Sequence, residues 1–215
     1  MKKYLLYPSW TCLMLMCIIS PGDAQQAFRI GLTAGYGLDG ESYQASGTTG
    51  GYVAWDPTFS SLAFPFGGLV ANVDIHGPLF LQPEFLLSAF GVRVQDQTYG
   101  NYRKGIVYVK VPLDIMYQAK AGPGCFLIGA GPYFARAVYG QSRGGKIAFG
   151  NSATDVMKAG DWGIDMRAEY IFNMGFLISL DYDVGIENLV PSAQSGTIHN
   201  DTWDISIGIL FHRKK

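Results

Sequence analysis

The sequence predicts an all-β chain that closes into an eight-stranded, antiparallel, up-and-down transmembrane β-barrel. Three observations predict it. A period-two alternation recurs eight times, the connections alternate between short and long, and aromatic residues bracket the apolar face. The composition agrees. Charged residues are 15% of the 215, against roughly 25% in soluble domains. Hydrophobic residues are 48%, aromatics 14%, and there are 28 glycines.

The chain opens with a segment of a different kind. Lys2 and Lys3 form a positive start, Leu5 to Ile19 is mostly apolar, and Gly22 and Ala24 are small residues ahead of Gln25. This reads as a secretory signal peptide over residues 1–24, cut between Ala24 and Gln25, followed by a barrel domain over 25–215. The apolar stretch is short for a retained bilayer span. Cleavage removes Cys12 and Cys17 and leaves Cys125 alone, so no intramolecular disulfide forms. Fourteen basic and 16 acidic residues remain. That balance gives no basic excess for nucleic acid and no acidic tail.

The first segment places Phe28, Ile30, Leu32, Ala34 and Tyr36 on one face, with Arg29, Gly31, Thr33 and Gly35 on the other. The second sets Leu69, Ala71, Val73 and Ile75 against Asn72 and Asp74. The third sets Leu79, Leu81, Phe85 and Leu87 against Gln82, Glu84 and Ser88. The fourth sets Val107 to Tyr117, taking every second residue, against Lys110, Asp114 and Gln118. The fifth, Cys125 to Ala137, is apolar on both faces and its phase stays open. The sixth sets Trp162, Ile164, Met166, Ala168 and Tyr170 against Asp161, Asp165, Arg167 and Glu169. The seventh sets Phe176, Ile178, Leu180 and Tyr182 against Ser179, Asp181 and Asp183. The eighth sets Trp203, Ile205, Ile207, Ile209 and Phe211 against Asp204 and Ser206. Pro83 and Pro112 sit inside these segments and remove ladder donors, so a bulge or irregularity is expected there.

Short turns are expected after the second, fourth and sixth segments. Long loops are expected at Leu38–Ser61, Val92–Gly105, Val138–Gly160 and Glu187–Asn200. Short periplasmic turns and long outer loops are the outer-membrane arrangement, with both termini in the periplasm. The apolar face is expected to point outward to lipid. The pairs Phe28/Tyr36, Trp162/Tyr170 and Trp203/Phe211 are each eight residues apart. On strands tilted near 40° that spans roughly 20 Å along the membrane normal, close to the band between two aromatic girdles. A soluble, secreted lipocalin-like binding barrel would place the same face inside.

The order Leu81-Gln82-Pro83-Glu84-Phe85, Val111-Pro112-Leu113, then Gly129-Ala130-Gly131-Pro132-Tyr133 resembles the PorT-like outer-membrane β-barrel family, porin-family small barrels of Bacteroidota. Tyr182, Gly185 and Asn188-Leu189 within Leu180–Pro191 fit the same pattern. The resemblance implies an eight-stranded outer-membrane barrel and fixes no activity. The family's namesake is associated with type IX secretion, and no residue here carries that role over.

The inward face gathers Arg29, Asp74, Glu84, Lys110, Asp114, Asp165, Arg167, Glu169, Asp181, Asp183 and Asp204. These form either a structural network filling the lumen or a path for cations or protons. Eight strands leave an interior just wide enough for side chains, whereas porins use about sixteen strands for an aqueous channel. His76, His199 and His212 do not converge, so no metal site, cofactor or His-dependent triad is expected. Ser195 and His199 share an outer loop, which keeps a lipid-modifying enzyme as an alternative. Arg213-Lys214-Lys215 and the Gly40–Tyr52 loop offer contacts without defining a ligand. The expected role is a non-enzymatic structural or accessory component of an outer-membrane assembly, with outer-membrane lipid and another envelope protein as the expected partners.

Overall fold

In the computed structural model the described residues are 28–44, 58–96 and 100–211. The signal segment, its Ala24/Gln25 cut, most of the Gly40–Tyr52 loop, His212 and the Arg213–Lys215 tail lie outside them. The strands are β1 Phe28–Gln44, β2 Thr58–His76, β3 Leu79–Asp96, β4 Gly100–Ala121, β5 Gly124–Ser142, β6 Gly145–Lys146, β7 Gly160–Phe172, β8 Phe176–Gly185 and β9 Thr197–Phe211. Each long strand pairs antiparallel with the next around the ring, and β1 pairs with β9. β5 joins both β4 and β7, which closes an eight-stranded barrel. The two-residue β6 only folds the end of β5 back on itself.

The register fixes the tilt. One rung runs Ala135, Lys110, Leu86, Gly68, Thr33, Gly208, Leu177, Ile171 and returns to β5 at Cys125. The return falls ten residues below the start, from Ala135 to Cys125. A stagger of that size over eight strands inclines them by about 40°.

The short turns are tight for a local reason. Gly77-Pro78 and Gly122-Pro123 each pair a glycine at positive φ (58° and 55°) with a proline that fixes the next φ. At the other end the strands run well past the expected loop boundaries. β1 continues to Gln44, β3 to Asp96 and β5 to Ser142, while β2 begins at Thr58 and β4 at Gly100. On β3 and β4 the reason is a reversal of pattern. In the lower barrel Phe85, Leu87, Ile115 and Ile207 face out. In the upper part Phe90, Val92, Val94, Ile106 and Tyr108 are buried inside, and Arg93, Gln95, Asn101 and Arg103 face out. The upper strands are built like a soluble barrel, so their alternation has the opposite sign.

The fifth segment resolves the same way. Leu127, Tyr133 and Ala137 are buried inside, and Phe126, Ile128 and Phe134 face out. Pro83 and Pro112 cause no bulge. The register is unbroken across both, and only the rungs beside them are missing. The bulges lie elsewhere: between Ser61 and Phe66, Asp74 and His76, and Val107 and Tyr108.

Candidate functional site

The interior is layered. At the end with the short turns Val70, Phe80, Met116, Leu127, Ile171, Leu177 and Leu210 form an apolar floor. At the outer end Phe90, Val92, Val94, Ile106 and Tyr108 meet Ile147, Met157 and Leu189, which the loops fold inward to form a roof. The loops are tied down by backbone bonds, Ile147 N–H to Gly140 at 2.9 Å and Lys158 N–H to Leu189 at 2.8 Å. Between floor and roof lies a buried polar slab.

Two cations organise the slab. Arg167 pairs with Glu84, with Asp181 at 2.5 Å, with Asp114 at 3.6 Å and with Asp165 at 3.8 Å. Its alignment follows from register, since Arg167 and Asp181 are cross-strand neighbours, as are Asp165 and Asp183. Lys110 pairs with Asp183 and, at 3.4 Å, with Asp204, and its ammonium lies 5.4 Å from the Tyr133 ring centre. A chain of hydrogen bonds leads down from there. Gln82 donates to Glu169 at 2.9 Å, Asn72 donates to Gln82 at 3.2 Å, and Arg29 donates to Asn72 at 3.1 Å. Ser179 bonds Asp181 at 2.8 Å and Ser206 at 2.7 Å.

The structure brings together nearly all the residues expected to share the lumen. Glu84, Lys110, Asp114, Asp165, Arg167, Glu169, Asp181, Asp183 and Asp204 are all buried. Two differ. Arg29 is half-buried at the mouth beside the short turns, and Asp74 is exposed there, beside a 260 Å³ recess. The second segment reaches the turn soon after Asp74, so this carboxylate meets water instead of the slab. Five further polar groups join them: four outside the expected strands, and Asp161, which the alternation of the sixth segment already places on the polar face. Asp39, Glu41, Lys104, Asp161 and Asn200 are buried. Lys104 pairs with Glu41 at 2.5 Å, Asn200 donates to Asp161 at 3.0 Å, and Asp39 accepts the Gly91 N–H at 2.7 Å. All but Asp161 lie in stretches that read as loops, where no face could be assigned.

A cavity of about 30 Å³ remains among Asp39, Lys110, Tyr133, Asp161, Asn200 and Asp204. That is room for one or two waters. No group of His, Cys, Asp or Glu among the described residues is arranged to hold a metal ion. His199 is half-buried and makes no bond to the exposed Ser195, so a Ser–His pair does not assemble. Glu187, in the β8–β9 connection, accepts from Lys158 at 2.7 Å and from the Trp162 indole at 2.8 Å. The Lys158 bond in particular holds its carboxyl below the ordinary value.

On the outside, Phe28 and Phe211 sit at one end with Tyr170, and Tyr36, Trp162 and Trp203 at the other. Five of these six are exposed. Tyr170 is half-buried, donating to the Ala121 carbonyl at 2.7 Å. Trp203 stacks on Tyr182 at 4.4 Å, and Tyr170 meets Phe172 edge-on at 4.7 Å.

A closed eight-stranded ring, an apolar exterior and a charged interior define the small outer-membrane β-barrel class. OprG from Pseudomonas aeruginosa has a similar fold, with a TM-score of 0.52 at 14% identity over 87% of this chain and 97% of that one. Ail of Yersinia pestis (TM-score 0.43, 13% identity) and the Neisserial surface protein NspA (0.44, 11%) also align, each over 86% of this chain and 99% and 97% of theirs. No family model and no curated protein matches the chain.

Proposed function

We propose that the protein is a non-enzymatic barrel, exported by its N-terminal segment and inserted in the outer membrane, where it serves as a structural or accessory component of an envelope assembly. The observation that carries this reading is the filled interior. A polar slab sealed between an apolar floor and roof supports a rigid post through the membrane and gives no solute a continuous wet path. The charge network then acts as an internal brace. The aromatic residues at both ends of the apolar exterior act as anchors at the two interfaces. The ordered resemblance to PorT-like barrels supports the same reading.

The test is purification of the tagged full chain from detergent-solubilised outer membranes, with mass spectrometry of what accompanies it. A stoichiometric envelope protein is the expected result. A monomer that emerges alone would sink the accessory role, and recovery in the soluble periplasmic fraction would sink the membrane placement.

A further inference from the structure

The outer surface of β3 and β4 carries an unusual pair. Arg93 and Arg103 are directly opposite each other in the register and both are exposed. Like charges directly opposite on a sheet face repel. Among the described residues neither arginine makes a salt bridge. Their neighbours are uncharged hydrogen-bonding groups: Ser60 pairs with Arg93, and Gln95 and Asn101 form the next rung outward. The rung beneath is Gly91 and Gly105, and Gly105 leaves open space where a side chain would project. The Phe64 ring covers Gly91, so a group approaches the pair from below along β4, over Gly105.

The depth of the pair is set by the register. Leu87, Val109 and Arg136 share one rung, and Arg136 lies two residues beyond Phe134, the partner of Trp162. Arg93 and Arg103 lie six residues further along their strands than Leu87 and Val109. At the strand tilt found above, Arg136 stands about 5 Å beyond the outer aromatic level; a rung falls by about 3 Å per strand from β5 to β3, so the arginine pair stands about 10 Å beyond Arg136. That is the depth of the headgroup and its attached sugars, not of the acyl chains.

We propose that Arg93 and Arg103, with Arg136 below them, form a binding site for phosphate groups on the saccharide of an outer-leaflet glycolipid. Guanidinium groups suit phosphate because they engage it through two parallel N–H bonds. A bound phosphate also relieves the Arg93–Arg103 repulsion. The assignment rests on the outer-membrane reading, with the long connections outside.

The purified full chain in detergent micelles is titrated with rough lipopolysaccharide carrying a phosphorylated core, and with the same material after chemical dephosphorylation. The expected result is at least a tenfold loss of affinity in the R93Q/R103Q double variant, a similar loss on dephosphorylation, and no further loss when the two are combined. Unchanged heat-modifiability of the variant shows that it is folded. Equal affinity of variant and parent overturns the site. So does tighter binding of a heparin fragment than of lipopolysaccharide, which would make the pair a receptor for a soluble polyanion. Inorganic phosphate alone is expected to compete only weakly. If it displaces the lipid at equal concentration, the site reads free phosphate and the glycolipid assignment fails. Placement is checked separately. Gln95→Cys in a Cys125→Ser background should react with an impermeant maleimide on intact cells. Absence of labelling would overturn the outer-membrane reading, whatever the binding result in micelles.

Discussion

Replacing Arg167 with Met removes the cation that Glu84, Asp114, Asp165 and Asp181 share. The acids stay buried without a counter-charge, and breaking a buried network from one side costs about 3–5 kcal/mol. The urea midpoint, read from the heat-modifiable gel shift, should fall by a matching amount. An unchanged midpoint would argue that the slab is not a brace. Adding Asp181→Leu to that variant should recover part of the loss, because it removes one of the stranded acids. A second residue-scale prediction concerns close packing. A Cβ at Gly131 would collide with the Leu113 carbonyl, which is backbone and cannot swing aside. Gly131→Ala should therefore cost about 1–3 kcal/mol in the same assay, whereas Gly105→Ala, in open space, should cost much less.

At the scale of the strand, legibility depended on which side carried the contrast. β7 is readable because from Ile164 to Tyr170 apolar and charged residues alternate without a break. β5 was not, because Leu127 and Tyr133 belong to the interior and Ile128 and Phe134 to the exterior, and both sets are apolar. The outer halves of β3 and β4 were read as loop. Val92, Val94 and Ile106 face in there, the opposite of Phe85 and Ile115 below. A single assumed orientation cannot follow a sheet that is lipid-facing at one end and water-facing at the other. The reversal hid Lys104 from the site; Asp39 and Glu41 keep the polar-in pattern beside the outward Leu38 but lie in a stretch that reads as loop. The β8–β9 connection offers a pH test. Glu187 is held below the ordinary carboxyl value of 4.5 by its bond from Lys158. A carboxyl of lowered pKa contributes stability that is present above the unfolded value and is lost as pH falls through the folded one. Protection of the amides at residues 186–190, taken relative to their intrinsic exchange rate at each pH, should be high at neutral pH and fall only below the ordinary carboxyl range. In Lys158→Met the loss of protection should begin at higher pH. Protection that ignores pH would show that the Glu187 tie does not restrain the loop.

At the scale of the whole molecule, the number of strands and the outward apolar face were legible, because both follow from counting alternations. The layering of the interior was not. Floor residues such as Val70, Met116 and Leu177 lie between outward apolar neighbours, so they only lengthen an apolar run. Their arrangement predicts electrical behaviour. Reconstituted in a planar bilayer, the protein should give no stepwise conductance. Shaving the floor with Phe80→Ala and Leu127→Ala should not change that, because the roof remains. Steady channels in the parent would show that the two layers part in the membrane.

The polar slab also governs the order in which the chain can enter a bilayer. Arg167 and its partner Asp181 arrive on β7 and β8, whereas Glu84 and Asp114 arrive on β3 and β4. Lys110 sits on β4, and its acids Asp183 and Asp204 sit on β8 and β9. No single hairpin carries its own neutralised set. A hairpin inserting alone would drag unmatched charge through hydrocarbon, so the two halves of the ring must meet at the surface and cross together. Assembly should accordingly be all-or-none, with the unclosed chain waiting at the interface until its opposite charges have found each other.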